Sequence, residues 1–193
     1  MHPPPSPARR QLLGRSAQAT LSAAAVALLA GHSRLAAAHS SGSTAGDINI
    51  LNVALALEHE AIAAYQLGAE TGLLSAPLKA LALAFQAHHQ AHRDVLMATV
   101  RRLGGRAAAD RTPAQHAQKL QLGRLQAQAD VLALAARLEL GATNAYLRVI
   151  PSFKDGQLAQ LAARLAADET MHHAALLGAL GQPLPAGALS FGA

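Results

Sequence analysis

The sequence predicts an all-α protein, a four-helix bundle with one long crossover between the second and third helices. Hydrophobic residues make up 51% of the chain but aromatic ones only 3%, with no Trp, as expected of Ala and Leu packing between close-set helices and not of a β-sandwich. Four long segments carry apolar residues at helical spacing, and nothing in the chain argues for strands. The connections between these segments run short, long, short. A long middle connection carries the chain back to the other end of the bundle, which a simple up-and-down arrangement does not do. At 193 residues and 19.8 kDa there is room for one such domain and a modest extra segment.

The extra segment is residues 1–39. A Pro-rich start, the pair Arg9-Arg10 followed by Gln11-Leu12-Leu13, an apolar run from Leu21 to Ala30, and then Ala36-Ala37-Ala38 follow the order of an export signal. The twin Arg ahead of Leu resembles a twin-arginine signal peptide, with Ala8 standing where Ser or Thr is usual. A periplasmic or otherwise exported protein is therefore expected, crossing the membrane already folded. The apolar run is near half of the roughly 20 residues that span a bilayer, so no stable membrane anchor is expected.

Residues 40–46, rich in Ser and Gly, read as a linker, 47–181 as the helical domain and 182–193 as a tail. Asp47 is the expected N-cap of the first helix, in which Ile50, Leu51, Ala54, Leu55, Ile62 and Tyr65 keep helical spacing as far as about Glu70. Thr71-Gly72 breaks it and Pro77 opens the second helix. That helix carries Leu81, Phe85, Val95, Leu96, Val100 and Leu103 before Gly104-Gly105 ends it. On the crossover, Thr112-Pro113-Ala114-Gln115 has the form of a capping box opening a brief helical piece. The third long helix is expected over about 124–150, stopped by Pro151. The fourth follows Asp155-Gly156 and covers about 157–180, ahead of Gly181.

The formal charge of +5 belongs to the leader. Arg9, Arg10, Arg15 and Arg34 lie in it with no acid beside them, leaving 12 basic against 11 acidic residues in the rest. No basic stripe interleaved with aromatics remains, which argues against a nucleic-acid partner. Cysteine is absent, excluding disulfides, thiolate zinc sites, iron–sulfur clusters and thiol nucleophiles, so any metal must be held by His and carboxylate. Phosphate loops, dinucleotide fingerprints and Ser-His-Asp sets are not present in the sequence.

The chemistry sits in a repeat. Glu58 is followed seven residues later by Tyr65, and Glu139 seven residues later by Tyr146, two turns that place Glu and Tyr on one helical face. His89 with His92, and Glu169 with His172, are pairs at i and i+3. His92 follows Glu58 at nearly the same interval as His172 follows Glu139, so the second half of the domain repeats the first. The acids lie in apolar stripes: Glu58 with Leu51, Leu55 and Ile62, Glu139 with Ala135 and Ala142, Glu169 and His172 with Leu165 and Leu176. A carboxylate buried without a partner costs on the order of several kcal/mol, so each must be protonated, paired with a cation or bound to metal. The domain holds three Lys, and Arg93 is one residue off the face of His92, so a metal is the simplest counter-charge.

On these residues the chain from about Asp47 to Leu180 resembles the ferritin-like di-iron carboxylate superfamily, close to exported bacterial ferritin-like domain proteins. The resemblance implies a site in which Glu58 and Glu139 are single-Glu ligands, Glu169 and His172 a complete Glu-x-x-His pair, and His92 the His of the other pair. His89 stands where the family has a bridging Glu. A carboxylate bridges two metals through two oxygens, whereas an imidazole has one lone pair unless fully deprotonated. One of the two usual bridges is thereby lost, and the set suits either two ions or one. His89 as a spectator, with His88 and His92 as the ligands, is the alternative. Iron is the implied metal, with Mn, Zn and Cu also compatible with mixed N/O ligands. The implied activity is oxidation of Fe(II) or reduction of oxygen or peroxide, and the alternative is a non-enzymatic metal carrier or stress-protective bundle with a degenerate site. Whether the chain is an enzyme, and whether it forms a homo-oligomer, the sequence leaves open.

Other polar residues have plainer readings. Tyr65 and Tyr146 are core residues with satisfied hydroxyls, or else hydrogen-bond partners of the ligands or a redox relay near the metals. Glu60, two residues from Glu58 and on a different face, reads as solvated. His59, His88 and His173 flank the candidate ligands and read as surface or outer hydrogen-bonding groups, and His116 on the crossover as surface. His2, His32 and His39 carry no inference.

Overall fold

The computed structural model describes residues 44–192, so the expected export signal and residues 40–43 of the expected linker lie outside the described residues. Among the described residues five α-helices follow one another: α1 Thr44–Glu70, α2 Ala76–Arg102, α3 Pro113–Lys119, α4 Gln128–Val149 and α5 Gly156–Ala179, with 3₁₀ turns at Leu122–Arg124 and Ile150–Ser152. Among the described residues there is no strand, and no helix is long and apolar enough to cross a membrane.

Most boundaries follow local chemistry. Gly104 ends α2 at φ +79°, a left-handed conformation that costs glycine little. At Gly105 a Cβ would lie 2.7 Å from Ile48 Cγ2, so the chain leaves α2 pressed against the start of α1. Thr112 and Gln115 form the expected capping box, each side chain bonding the other's backbone N–H. The Asp155 carboxylate accepts from the N–H of Gln157 and caps α5.

Two expected starts move. The first helix already includes Thr44, the first described residue, so Asp47 lies inside it and not at an N-cap, placed where a carboxylate favours the unpaired N–H groups of a first turn. The third long helix begins at Gln128, because Gln121 takes a left-handed φ of 54° and Leu125 is extended. There the Asp130 carboxylate accepts from the N–H groups of Gln126 and Ala127 at 2.9 and 3.0 Å, which defines the true N-terminus.

α1 pairs with α2 and α4 with α5 as antiparallel hairpins, and α1 also packs on α4. The crossover runs the length of the bundle. At one end the Asn52 side chain bonds the Arg106 carbonyl and the Ala108 N–H, and at the other the Ser75 N–H donates to Gln128 Oε1. α2 and α4 therefore point the same way, as the long middle connection requires. The apolar core has two main parts. Leu51, Leu55, Leu96, Val100, Tyr146, Leu158 and Leu165 fill one end, and Tyr65, Phe85, Leu132 and Leu176 the other. Between them in each helix's sequence lie the six candidate ligands. The tail folds back on the bundle, with the Gly192 N–H donating to Asn144 Oδ1 and Phe191 edge-on to His173.

Candidate metal centre

Each candidate residue is brought into the core by its helix. Glu58 comes from α1, His89 and His92 from α2, Glu139 from α4, and Glu169 and His172 from α5, and all six are buried. They form two overlapping groups: Glu58, His89, His92 and Glu169, and His89, Glu139, Glu169 and His172. Within each group one ligand atom per residue lies within 4.8 Å of the others. Ligands about 2.1 Å from a common ion are separated by no more than about 4.2 Å across it, so the side chains need little movement to converge on one.

Glu169 lies between the groups. Its Oε1 is 3.2 Å from His92 Nδ1 and its Oε2 is 3.4 Å from His172 Nδ1. Among the described residues neither oxygen has a hydrogen-bond partner, and the same holds for His92 Nδ1, His172 Nδ1 and Glu139 Oε2. Five buried polar atoms without partners, from four of the candidate residues, face one another, at a cost of about 1–3 kcal/mol for each unmet group. Oxygen and imidazole nitrogen donors directed at a common volume fit a divalent transition-metal ion.

His89 also spans the groups. Its Nδ1 is 2.7 Å from Glu58 Oε2 and its Nε2 is 3.1 Å from Glu139 Oε1. An ionised carboxylate only accepts, so bonding both at once requires both ring nitrogens to carry hydrogen. His89 is then an imidazolium, a cation built into the cluster. Burial alone would lower its pKa, but the Glu139 and Glu58 bonds raise it well above the usual histidine range. Burial would likewise raise Glu58, yet the bond from His89 and the nearby charge of His92 hold it at about 2. His92 is pushed up to about 10, the Glu169 and Glu58 carboxylates beside it outweighing burial, and Glu169 is raised to about 7, chiefly by burial.

These shifts set a pH dependence for metal-free protein. A histidine raised in the folded state stabilises it fully below its unfolded value near 6.5, and that contribution is lost as pH climbs toward about 10. Glu169 acts in the same direction, since a carboxyl raised from 4.5 to about 7 becomes costly to keep buried as pH passes through that window. Chelated protein is therefore expected to melt at steadily lower temperature from pH 5 to pH 10. A flat profile in calorimetric scans across that range would show that the cluster does not hold these protons.

The tyrosines act across the helix pair. The Tyr65 hydroxyl donates to Glu139 and the Tyr146 hydroxyl to Glu58, so each orients the carboxylate of the other half. Burial first, and then the adjacent carboxylates, raise both phenols well above their usual range, so they stay protonated donors. Beyond Tyr65 lies an apolar cleft lined by Leu78, Leu81, Leu132 and Leu176.

Other residues depart from their sequence readings. His116 is 1% exposed, not at the surface, with its Nε2 2.8 Å from Asp110 Oδ1, because the crossover packs over α1. Glu60 is 2% exposed, not solvated, and pairs with Lys119 on α3. His59 is buried with its Nδ1 3.7 Å from the Asp110 carboxylate, and His173 Nδ1 bonds the Ala136 carbonyl. His88 is exposed and reaches His172 Nε2 at 2.9 Å, which places it outside the cluster while His89 lies inside. Two residues were not singled out from sequence. Asp168 meets His92 Nε2 at 3.1 Å, and Thr143 is fully buried on the Glu139 and Tyr146 face with its hydroxyl unpartnered among the described residues. Asp168 could have been found from the repeat, because it holds the place in the second half that His88 holds in the first.

Comparison with known families matches residues 46–182 to the ferritin-like domain. The chain belongs to that family. Its all-helical order with a full-length crossover is the family's architecture, and the cluster lies at the bundle centre. A solved structure of a conserved hypothetical protein from Mycobacterium tuberculosis is similar in fold, at 24% identity and a TM-score of 0.62, covering 75% of this chain and 99% of that one. A search of curated proteins gives no match. The ferritin-like fold and a buried His and Glu cluster able to hold a metal are thus established features of this chain.

Proposed function

We propose that this ferritin-like chain binds one or two transition-metal ions, iron foremost, at the Glu58, His89, His92, Glu139, Glu169 and His172 cluster, and that the site supports oxidation of Fe(II) or reduction of oxygen or peroxide. The unpartnered atoms of Glu169, Glu139, His92 and His172 are the observation that carries this reading. A bound iron would supply one-electron chemistry. The chain's own part is to hold hard oxygen donors that favour the oxidised ion, to orient Glu58 and Glu139 through Tyr146 and Tyr65, and to exclude bulk water. Chelator-treated protein reloaded with Fe(II) is expected to consume oxygen faster than its Glu169→Ala variant, measured with an oxygen electrode. Equal rates would overturn the redox reading.

One observation favours a carrier without turnover. His89 as an imidazolium already supplies a positive charge between Glu58 and Glu139 and occupies the place of a second bridging carboxylate. On that reading metal is bound but peroxide is not consumed over repeated cycles.

The reading includes export to the periplasm, supported by Arg9-Arg10, the apolar run 21–30 and Ala36-Ala37-Ala38. Changing Arg9 and Arg10 together to Lys is expected to leave the chain in the cytoplasmic fraction at uncleaved size. Unchanged fractionation would remove the twin-arginine route.

A further inference from the structure

The repeat that places the ligands is not symmetric one layer out. His88 and Asp168 occupy the same place in the two halves, each four residues before a candidate ligand, His92 or His172. Each reaches across to the ligand of the other helix. Asp168 Oδ2 is 3.1 Å from His92 Nε2, while His88 Nδ1 is 2.9 Å from His172 Nε2. In both ligands Nδ1 is the nitrogen facing the carboxylates, so a metal at Nδ1 requires the proton on Nε2, donated outward. His92 donates to an anion and His172 to an imidazole. A carboxylate draws the Nε2 proton more strongly, raises the basicity of the opposite nitrogen and brings one more negative charge near the ion.

We propose that the two halves of the cluster are unequal metal positions: the one formed by Glu58, His92 and Glu169 fills first and holds its ion more tightly than the one formed by Glu139, His172 and Glu169, because Asp168 backs the first and His88 the second. This rests on reading the cluster as a metal centre. Asp168 and His88 are positioning residues here, since neither reaches the carboxylates. Both are open to solvent, the Asp168 side chain being 51% exposed, so changing them leaves the core intact.

Zn(II), which has no redox chemistry, is the probe. Calorimetric titration of the chelated full chain compares the parent with Asp168→Asn and His88→Asp, alongside thermal melts of each metal-free form. The parent is expected to bind in two unequal steps. Asp168→Asn weakens the tighter step about 10–100-fold and spares the weaker, and His88→Asp tightens the weaker step and draws the two together. If the parent takes one ion per chain, Asp168→Asn weakens it and His88→Asp does not. Asp168→Asn leaving the tighter step unchanged, or weakening both steps alike, overturns the proposal while the metal centre stands. A parent that takes up no Zn(II) overturns the metal centre itself.

Discussion

Glu169→Gln is expected to lose at least one of the bound ions, with the affinity of whatever remains falling about 100-fold or more, while metal-free protein melts within ~3 °C of the parent or above it. The two halves of this expectation have different causes. Both oxygens of Glu169 face imidazole nitrogens of the two groups without a hydrogen bond among the described residues, so the carboxylate contributes to metal holding and little to the packing of the fold. Its raised pKa, about 7, shows that its charge is costly to bury, and an amide of the same shape removes that cost. Glu58→Gln makes the contrast. Glu58 accepts from both Tyr146 and His89, so its neutralisation leaves a buried imidazolium short of a partner and is expected to cost about 3–5 kcal/mol in the metal-free protein. Elemental analysis with equilibrium dialysis, beside melts in chelator, separates the two. If Glu169→Gln bound metal as the parent does, Glu169 would not be a ligand.

His89→Glu is expected to act in the opposite sense in the two states. With metal supplied, a second carboxylate bridge becomes available between the groups and the metal content rises toward two ions per chain. Without metal, four carboxylates share the core and the imidazolium that neutralised two of them is gone. A loss of about 3–5 kcal/mol follows from an uncompensated buried charge, which for a domain of this size lowers the melting temperature by roughly 6–20 °C. The variant should therefore depend on metal for its fold in a way the parent does not. Melts with and without Fe(II) or Zn(II) under anaerobic conditions measure this, and equal melting temperatures in chelator would show that His89 is not the resident cation.

The six clustered residues were legible in the sequence because helical periodicity is a local property. The stripe Leu51, Leu55, Glu58, Ile62, Tyr65 needs only the helical pitch to place Glu58 inward, and the internal repeat identified its counterparts in the second half. Chain punctuation was legible for the same reason. Gly104, the Thr112 capping box and Asp155 act on backbone groups within four residues of themselves. The sequence by itself thus determined the all-α class, the crossover and the inward faces. What it did not contain was the angle and separation at which those faces meet. Only the tertiary structure decided that Tyr65 serves Glu139 and Tyr146 serves Glu58, that His89 and not His88 sits between the carboxylates, and that Asp168 and His88 back different ligands. It also buried His116 and Glu60, which look exposed on their own segments until the crossover lies across α1 and supplies Asp110 and Lys119. A helix's own pitch sets which way a side chain points, but its partner is set by contacts between residues far apart in the chain, as in the two tyrosine bonds, and those depend on how whole helices pack.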